Sequence, residues 1–195
     1  MTGRGPLPDA AVRGSHPRGL ASSWGVTKAE LRGPLWAPSN RGLWAWSATG
    51  RGPDERIRRA APLVRGGGGI GGWAAAFWLG HHDLDGVDSD GVELPVLVCL
   101  PRASRCRRTR DVRVFRSDLE PEEIVEVNRV VVTTPARTCA DLARLTEPLP
   151  EAVAAVDVMA RDGEPVLDDA SSWLACHSRW AGVASARRVL QLAEP

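Results

Sequence analysis

Two rhythms of apolar residues divide the chain. Over residues 55–64, Ile57, Ala60, Ala61 and Val64 recur at spacings of three and four. That pattern predicts a helix capped by Asp54, with Arg56, Arg58 and Arg59 mainly outward. Residues 73–79 predict another helix behind the glycine run 66–72, which reads as a flexible turn. The period then shortens. Residues 94–100 are almost unbroken apolar, and Val112-Arg113-Val114-Phe115 alternates, so the two predict paired strands around a solvated hairpin loop. The valine-rich stretch 127–132 predicts a third strand. Thr133-Thr134-Pro135 comes next as an N-cap and first-turn proline for a helix to about residue 144. Val153, Val156 and Met159 mark a helix over 151–161, and residues 168–193 read as helical with a break near Gly182.

The front of the chain is patterned differently. Residues 1–19 set Gly3, Gly5, Pro6, Pro8, Gly14, Pro17 and Gly19 among arginines without hydrophobic periodicity, which predicts a disordered basic arm. Structure is expected to begin near Leu20. Thr27-Lys28-Ala29-Glu30 has the form of a capping box, opening a short helix that Gly33 and Pro34 stop. Residues 41–46, in which Leu43 and Ala45 alternate with Trp44 and Trp46, predict a turn and strand. Helix, strand ribbon, two helices, three strands and further helices make an α+β protein.

Charge changes this picture by its placement. The 195 residues carry a formal net charge of +1, yet residues 1–65 hold eleven basic and four acidic side chains. Residues 83–93 hold five acids and no base, and residues 102–116 hold seven arginines and one acid. Such blocks predict separate surfaces for separate partners. With one lysine, Lys28, against twenty-four arginines, positive surface is built from guanidinium groups, which grip phosphate in a bidentate manner. No apolar stretch is long enough for a bilayer span or a signal-peptide core, so a cytoplasmic protein without a membrane partner is expected. Cys99, Cys106, Cys139 and Cys176 are not closely paired, and reduced thiols are the default.

Several segments together carry a resemblance: Gly25-Val26-Thr27-Lys28-Ala29-Glu30-Leu31-Arg32, Arg41-Gly42-Leu43-Trp44, Gly71-Gly72-Trp73-Ala74-Ala75-Ala76, Leu94-Pro95-Val96, and residues 132–144 with Thr134-Pro135-Ala136-Arg137-Thr138. Over residues 20–191 the chain resembles AbiEi-type antitoxins of abortive-infection toxin–antitoxin systems and their actinobacterial winged-helix relatives, which often precede a restriction-like nuclease domain. The resemblance implies a winged-helix-like DNA-binding module over residues 20–65 and an α+β antitoxin-like domain over 66–195. It implies an autorepressor that binds operator DNA as a duplex and a nucleotidyltransferase-like toxin as protein partner. The fuller winged-helix pattern has another helix before the capping box, where this chain has its Gly/Pro/Arg arm. A second reading is a non-catalytic remnant of a longer DNA-processing protein lacking the nuclease module.

Thr27, Lys28 and Arg32 on the exposed side of the short helix, with Arg41 opening the wing, form the expected DNA face. Arg102, Arg105, Arg107, Arg108 and Arg110 could hold a phosphate or an acidic partner, or be balanced by Glu120, Glu122 and Glu123. Arg137 and Asp141, four apart on one helix, are expected to form a structural ion pair. His81-His82-Asp83 with Asp85 places four metal-ligand types in one loop, which rarely encloses a metal alone, and His177 has no evident neighbour. The GxGxxG in residues 66–72 comes after a helix, not a strand, and no catalytic constellation can be assembled. No enzyme activity, cofactor or metal is therefore expected, and the tryptophans read as core.

Overall fold

The computed structural model describes residues 7–40, 42–161 and 165–194. The α+β class is observed: the described residues form eight strands in two sheets and seven α-helices, and the second sheet has five strands where about three were expected behind the front module.

The first sheet pairs β1 (Ser15–Pro17) and β2 (Trp36–Pro38) with a central β3 (Leu43–Trp46), both antiparallel. Leu43 and Ala45 of β3 point inward, and Ala11, Ala21, Val26, Leu31 and Trp36 fill a small core of their own. The disordered arm expected over 1–19 is corrected here for residues 9–19; residues 1–6 lie outside the described residues. Asp9–Val12 forms a 3-10 turn that buries Ala11, β1 comes after it, and α1 (Arg18–Ser23) starts before Leu20 and occupies the place where no helix was expected. The reason is tertiary. β1 gains a ladder along β3, and the Gly14 amide donates to both carboxylate oxygens of buried Glu55 at 3.0 Å. These bonds offset an ordering entropy that the local composition cannot.

Glu55 belongs to α2 (Pro53–Ala60), where Gly52 is the N-cap and Pro53 the first residue. Asp54 sits in the first turn and pairs with Arg58 at 2.9 Å, so its expected capping role is corrected. The α2 arginines are half-buried, not outward: Arg59 pairs with Glu55 at 2.8 Å, and Arg56 and Arg58 stack on the Trp73 and Trp78 rings. Ile57 and Ala60 meanwhile join the core of the second sheet.

That sheet has the order β6-β5-β4-β8-β7. Its middle strand, β4 (Gly69–Gly71), lies in the glycine run read as a flexible turn. A Cβ on the adjoining Gly68 would stand 2.4 Å from the Cys99 carbonyl oxygen, so the glycines permit close backbone approach. α3 (Gly72–Trp78) leaves β4 directly and buries Ala74, Ala75 and Ala76. β5 (Val96–Leu100) is buried along its whole length and pairs with β6 (Val112–Arg116) in parallel. The hairpin expected here is thus corrected, since parallel neighbours need a connection that runs back along the strand, and residues 101–111 supply it. Residues 127–132 are not one strand. β7 (Ile124–Val127) and β8 (Val130–Thr133) are antiparallel, joined through Asn128 and Arg129 at φ 47° and 65°, two consecutive left-handed residues as in a type I′ turn.

α4 (Pro135–Leu145) leaves β8 and packs against α3, α5 (Leu149–Ala160), α6 (Val166–Cys176) and α7 (Val183–Leu192). Val156, Ala170, Ala186 and Val189, all fully buried, close the helical core around it. No helix among the described residues is long and apolar enough to cross a membrane.

Candidate functional site

The capping box forms, but on a smaller element than expected. Thr27 N and Oγ1 donate to Glu30 Oε2 at 2.7 and 2.9 Å, and Glu30 N donates back to Thr27 Oγ1 at 3.1 Å. The box opens a single 3-10 turn, Glu30–Arg32, in place of a short α-helix. Gly33 and Pro34 leave no room for a second turn, and Leu31 anchors this one in the small core. Thr27, Lys28 and Arg32 are exposed, and neither Lys28 nor Arg32 has an ion pair among the described residues. Arg41 lies outside the described residues, between β2 and β3.

The arginine-rich connection 101–111 is exposed at Arg102, Arg105, Arg107, Arg108 and Arg110, and anchored by half-buried Ser104 and buried Cys106. Arg102 approaches Asp118 at 3.6 Å. The balance expected from Glu120 and Glu123 does not arise, because those side chains are used elsewhere: both complete a capping box, and Glu123 turns into the core. Arg110 parts from its neighbours and faces the seam between the two sheets, together with Arg51, Arg56 and Arg59.

Helix α4, with residues from the strand side, builds a buried polar centre. Arg137, with no exposed surface, donates from Nε to Asp141 Oδ2 at 3.0 Å, from Nη1 to Glu123 Oε1 at 2.9 Å and from Nη2 to Ser117 Oγ at 3.1 Å. Asp141 also receives Arg144 Nε at 2.8 Å on its other oxygen. Arg144 Nη2 stands 2.7 Å from that oxygen but lacks hydrogen-bond alignment, so this contact is Coulombic. Two arginines and two carboxylates cancel, which is what makes burial of four charges tolerable. Trp173 and Trp180 roof the centre: the Arg137 guanidinium carbon lies 4.6 and 5.2 Å from their ring centroids, and the Trp173 indole donates to Glu123. These tryptophans are more than core filler, therefore, and His177 does have neighbours. It stacks on Trp173 at 4.0 Å and approaches Trp180 at 4.8 Å. The 3,4 spacing of Arg137, Asp141 and Arg144 signals the helix part of this centre; Glu123 and Ser117 arrive from the strand side with no sequence signal.

Burial opposes the Glu123 charge, but the Glu120 amide, Arg137 and the Trp173 indole outweigh it and hold the carboxyl below its ordinary value. A carboxyl depressed on folding contributes stability above its unfolded pKa, and that contribution is lost as pH falls through the folded value. Urea unfolding followed by tryptophan fluorescence should show stability falling as pH is lowered through and below the ordinary glutamate range. Glu123→Gln should flatten that slope, and an unchanged slope would contradict the assignment. The same surroundings keep thiols inert: burial pushes Cys99 and Cys139 up to about 12, and all four cysteines are free.

Among the described residues no group of three or more His, Cys, Asp and Glu side chains could hold a metal ion. Comparison with family models and with curated proteins gives no match. Among solved structures the chain is similar to the RV2827C protein from Mycobacterium tuberculosis, at 18% identity and a TM-score of 0.48, over 89% of this chain and 73% of that one.

Proposed function

We propose that the protein is a DNA-binding transcriptional regulator of the AbiEi antitoxin type, whose front unit acts as a reduced winged-helix-like module. The observation that carries this reading is the pair Lys28 and Arg32, both exposed and without a carboxylate partner among the described residues, on a turn held rigid by its capping box. In this reading the neighbouring antiparallel β2–β3 pair serves as the wing. A single 3-10 turn presents few side chains to base edges, so phosphate contacts dominate the affinity. In the same reading the domain behind it meets a nucleotidyltransferase-like toxin, and the operon's own operator is the duplex bound.

The test is anisotropy titration of labelled duplex from upstream of the gene over a range of salt concentrations. Affinity should fall steeply as salt rises. Lys28→Gln with Arg32→Gln should weaken binding at every sequence tested and reduce the logarithmic salt slope by about 1.8, or about 0.9 per lost phosphate contact. Binding that ignores salt, or that the double variant leaves untouched, would remove the DNA-binding claim.

A further inference from the structure

Between the front sheet and the five-stranded sheet lies a cavity of about 270 Å³. Four guanidinium groups from three separate segments line it: Arg51 from the loop after β3, Arg56 and Arg59 from α2, and Arg110 from the connection into β6. Only two carboxylates, Glu93 and Asp111, share the lining among the described residues. The partners of the four arginines differ. Arg51 pairs with Asp111 at 3.0 Å across an exposed contact, and Arg59 is held by Glu55. Arg56 is held by neutral groups: it donates to the Gly86 carbonyl at 3.2 Å and to the Leu94 carbonyl, and lies over the Trp73 ring. Its charge is fixed in place but matched by no carboxylate within salt-bridge distance among the described residues. Arg110 is exposed and has no ion pair among the described residues.

We propose that this cavity is a binding site for a small phosphorylated ligand, an inorganic phosphate or the terminal monoester of a mononucleotide, held between Arg56 and the exposed pair Arg51 and Arg110. The site is concave and walled by low-dielectric protein, which concentrates the field of the excess positive charge. Guanidinium groups suit a phosphate monoester because each can give two parallel N–H bonds to its oxygens. Arg56 and Arg59 are fixed by their other bonds, so binding does not require ordering them. Burial pushes the Arg56 pKa below its ordinary value, and Arg51 adds to this against Glu93 and Asp111. An anion beside Arg56 relieves both effects. Arg51 reaches the ligand by exchanging one anionic partner, Asp111, for another.

The site spans the junction, since Arg51 and Asp111 come from its two sides, as do Asn40 and Thr109 at 3.4 Å. A bound phosphate therefore ties the front sheet to the connection before β6. It is independent of the duplex-binding face, which rests on Lys28 and Arg32.

The experiment is isothermal titration of the full chain at low chloride with inorganic phosphate and with adenosine 5′-monophosphate, alongside a matched 20-base-pair duplex. Phosphate and the mononucleotide should each bind saturably, and Arg51→Gln with Arg110→Gln should weaken both by about tenfold or more, as expected for losing charged hydrogen bonds. Both side chains are exposed, so this variant should melt like the parent. Arg107→Gln, in the same connection but outside the cavity, should bind as the parent does. Absence of saturable binding by both small ligands, or equal weakening by Arg107→Gln, overturns the site. So does a double variant that loses duplex binding while the parent ignores phosphate, because those arginines would then belong to the DNA face.

Discussion

Replacing Arg137 with methionine is expected to lower the unfolding free energy by about 3–5 kcal/mol, the range for breaking a buried ion pair from one side. The side chain has no exposed surface, and its three hydrogen bonds go to Asp141, Glu123 and Ser117. Methionine fills similar space but leaves two carboxylates facing one arginine, Arg144, in a site roofed by tryptophan. Burial opposes the Arg137 charge, yet Asp141 and Glu123 more than compensate and raise its pKa, so the cation itself holds the centre together. Arg137→Lys should recover only part of the loss, because an ammonium cannot reach three acceptors in the plane a guanidinium does. Urea denaturation checks both, with Trp173 and Trp180 as reporters at the site. A methionine variant within about 1 kcal/mol of the parent would mean that the centre is not organised by Arg137.

Gly182→Ala is expected to cost at least about 2 kcal/mol, from two sources that act together. Gly182 caps α7 at φ +82°, a left-handed conformation that an L side chain resists. A Cβ there would also stand 2.4 Å from the Arg144 carbonyl oxygen and 3.1 Å from Arg144 Cβ, so backbone must move. The movement spreads, because Arg144 Nη1 donates to the neighbouring Ala181 carbonyl at 3.2 Å. Thermal unfolding measures the loss. The conservative control is Gly50→Ala, in a glycine position with open space around it, which should change stability little. Equal melting of the two variants would show that α7 is free to shift away from α4.

Both effects fall on the segment whose pattern was most legible. Thr134-Pro135 marks the start of α4, and Arg137, Asp141 and Arg144 share its face at helical spacing. The helices α5, α6 and α7 are legible for the same reason, since each buries a stripe set by residues three and four apart. The strands are less legible. The run 94–100 announces β5, but nothing local distinguishes a parallel from an antiparallel partner, so the sequence alone favours a hairpin around the loop arginines. Gly69–Gly71 has almost no side chains to carry a pattern, though it occupies the middle of the sheet. Asn128-Arg129 does carry a turn signal, but the valines on both sides made one long strand the simpler reading.

The candidate sites divide similarly. The Thr27–Glu30 capping box depends on contacts within four residues and formed as a box, whereas the length of its helix depended on what the small core could bury. No local rule brings Arg51, Arg56 and Arg110 to one cavity, or sends Glu123 inward to Arg137 and away from the exposed arginines.

By itself, then, the amino-acid order determined the helical stripes, the capped turn, the segregation of charge and the ion-pair spacing on α4, because each depends on neighbours within about one or two helical turns. The tertiary structure decided the strand partners, the ordering of residues 9–19 and the partners of the buried charges. Those depend on ladders and hydrogen bonds between residues as far apart as Gly14 and Glu55, whose free energy arises only when the chain has closed on itself.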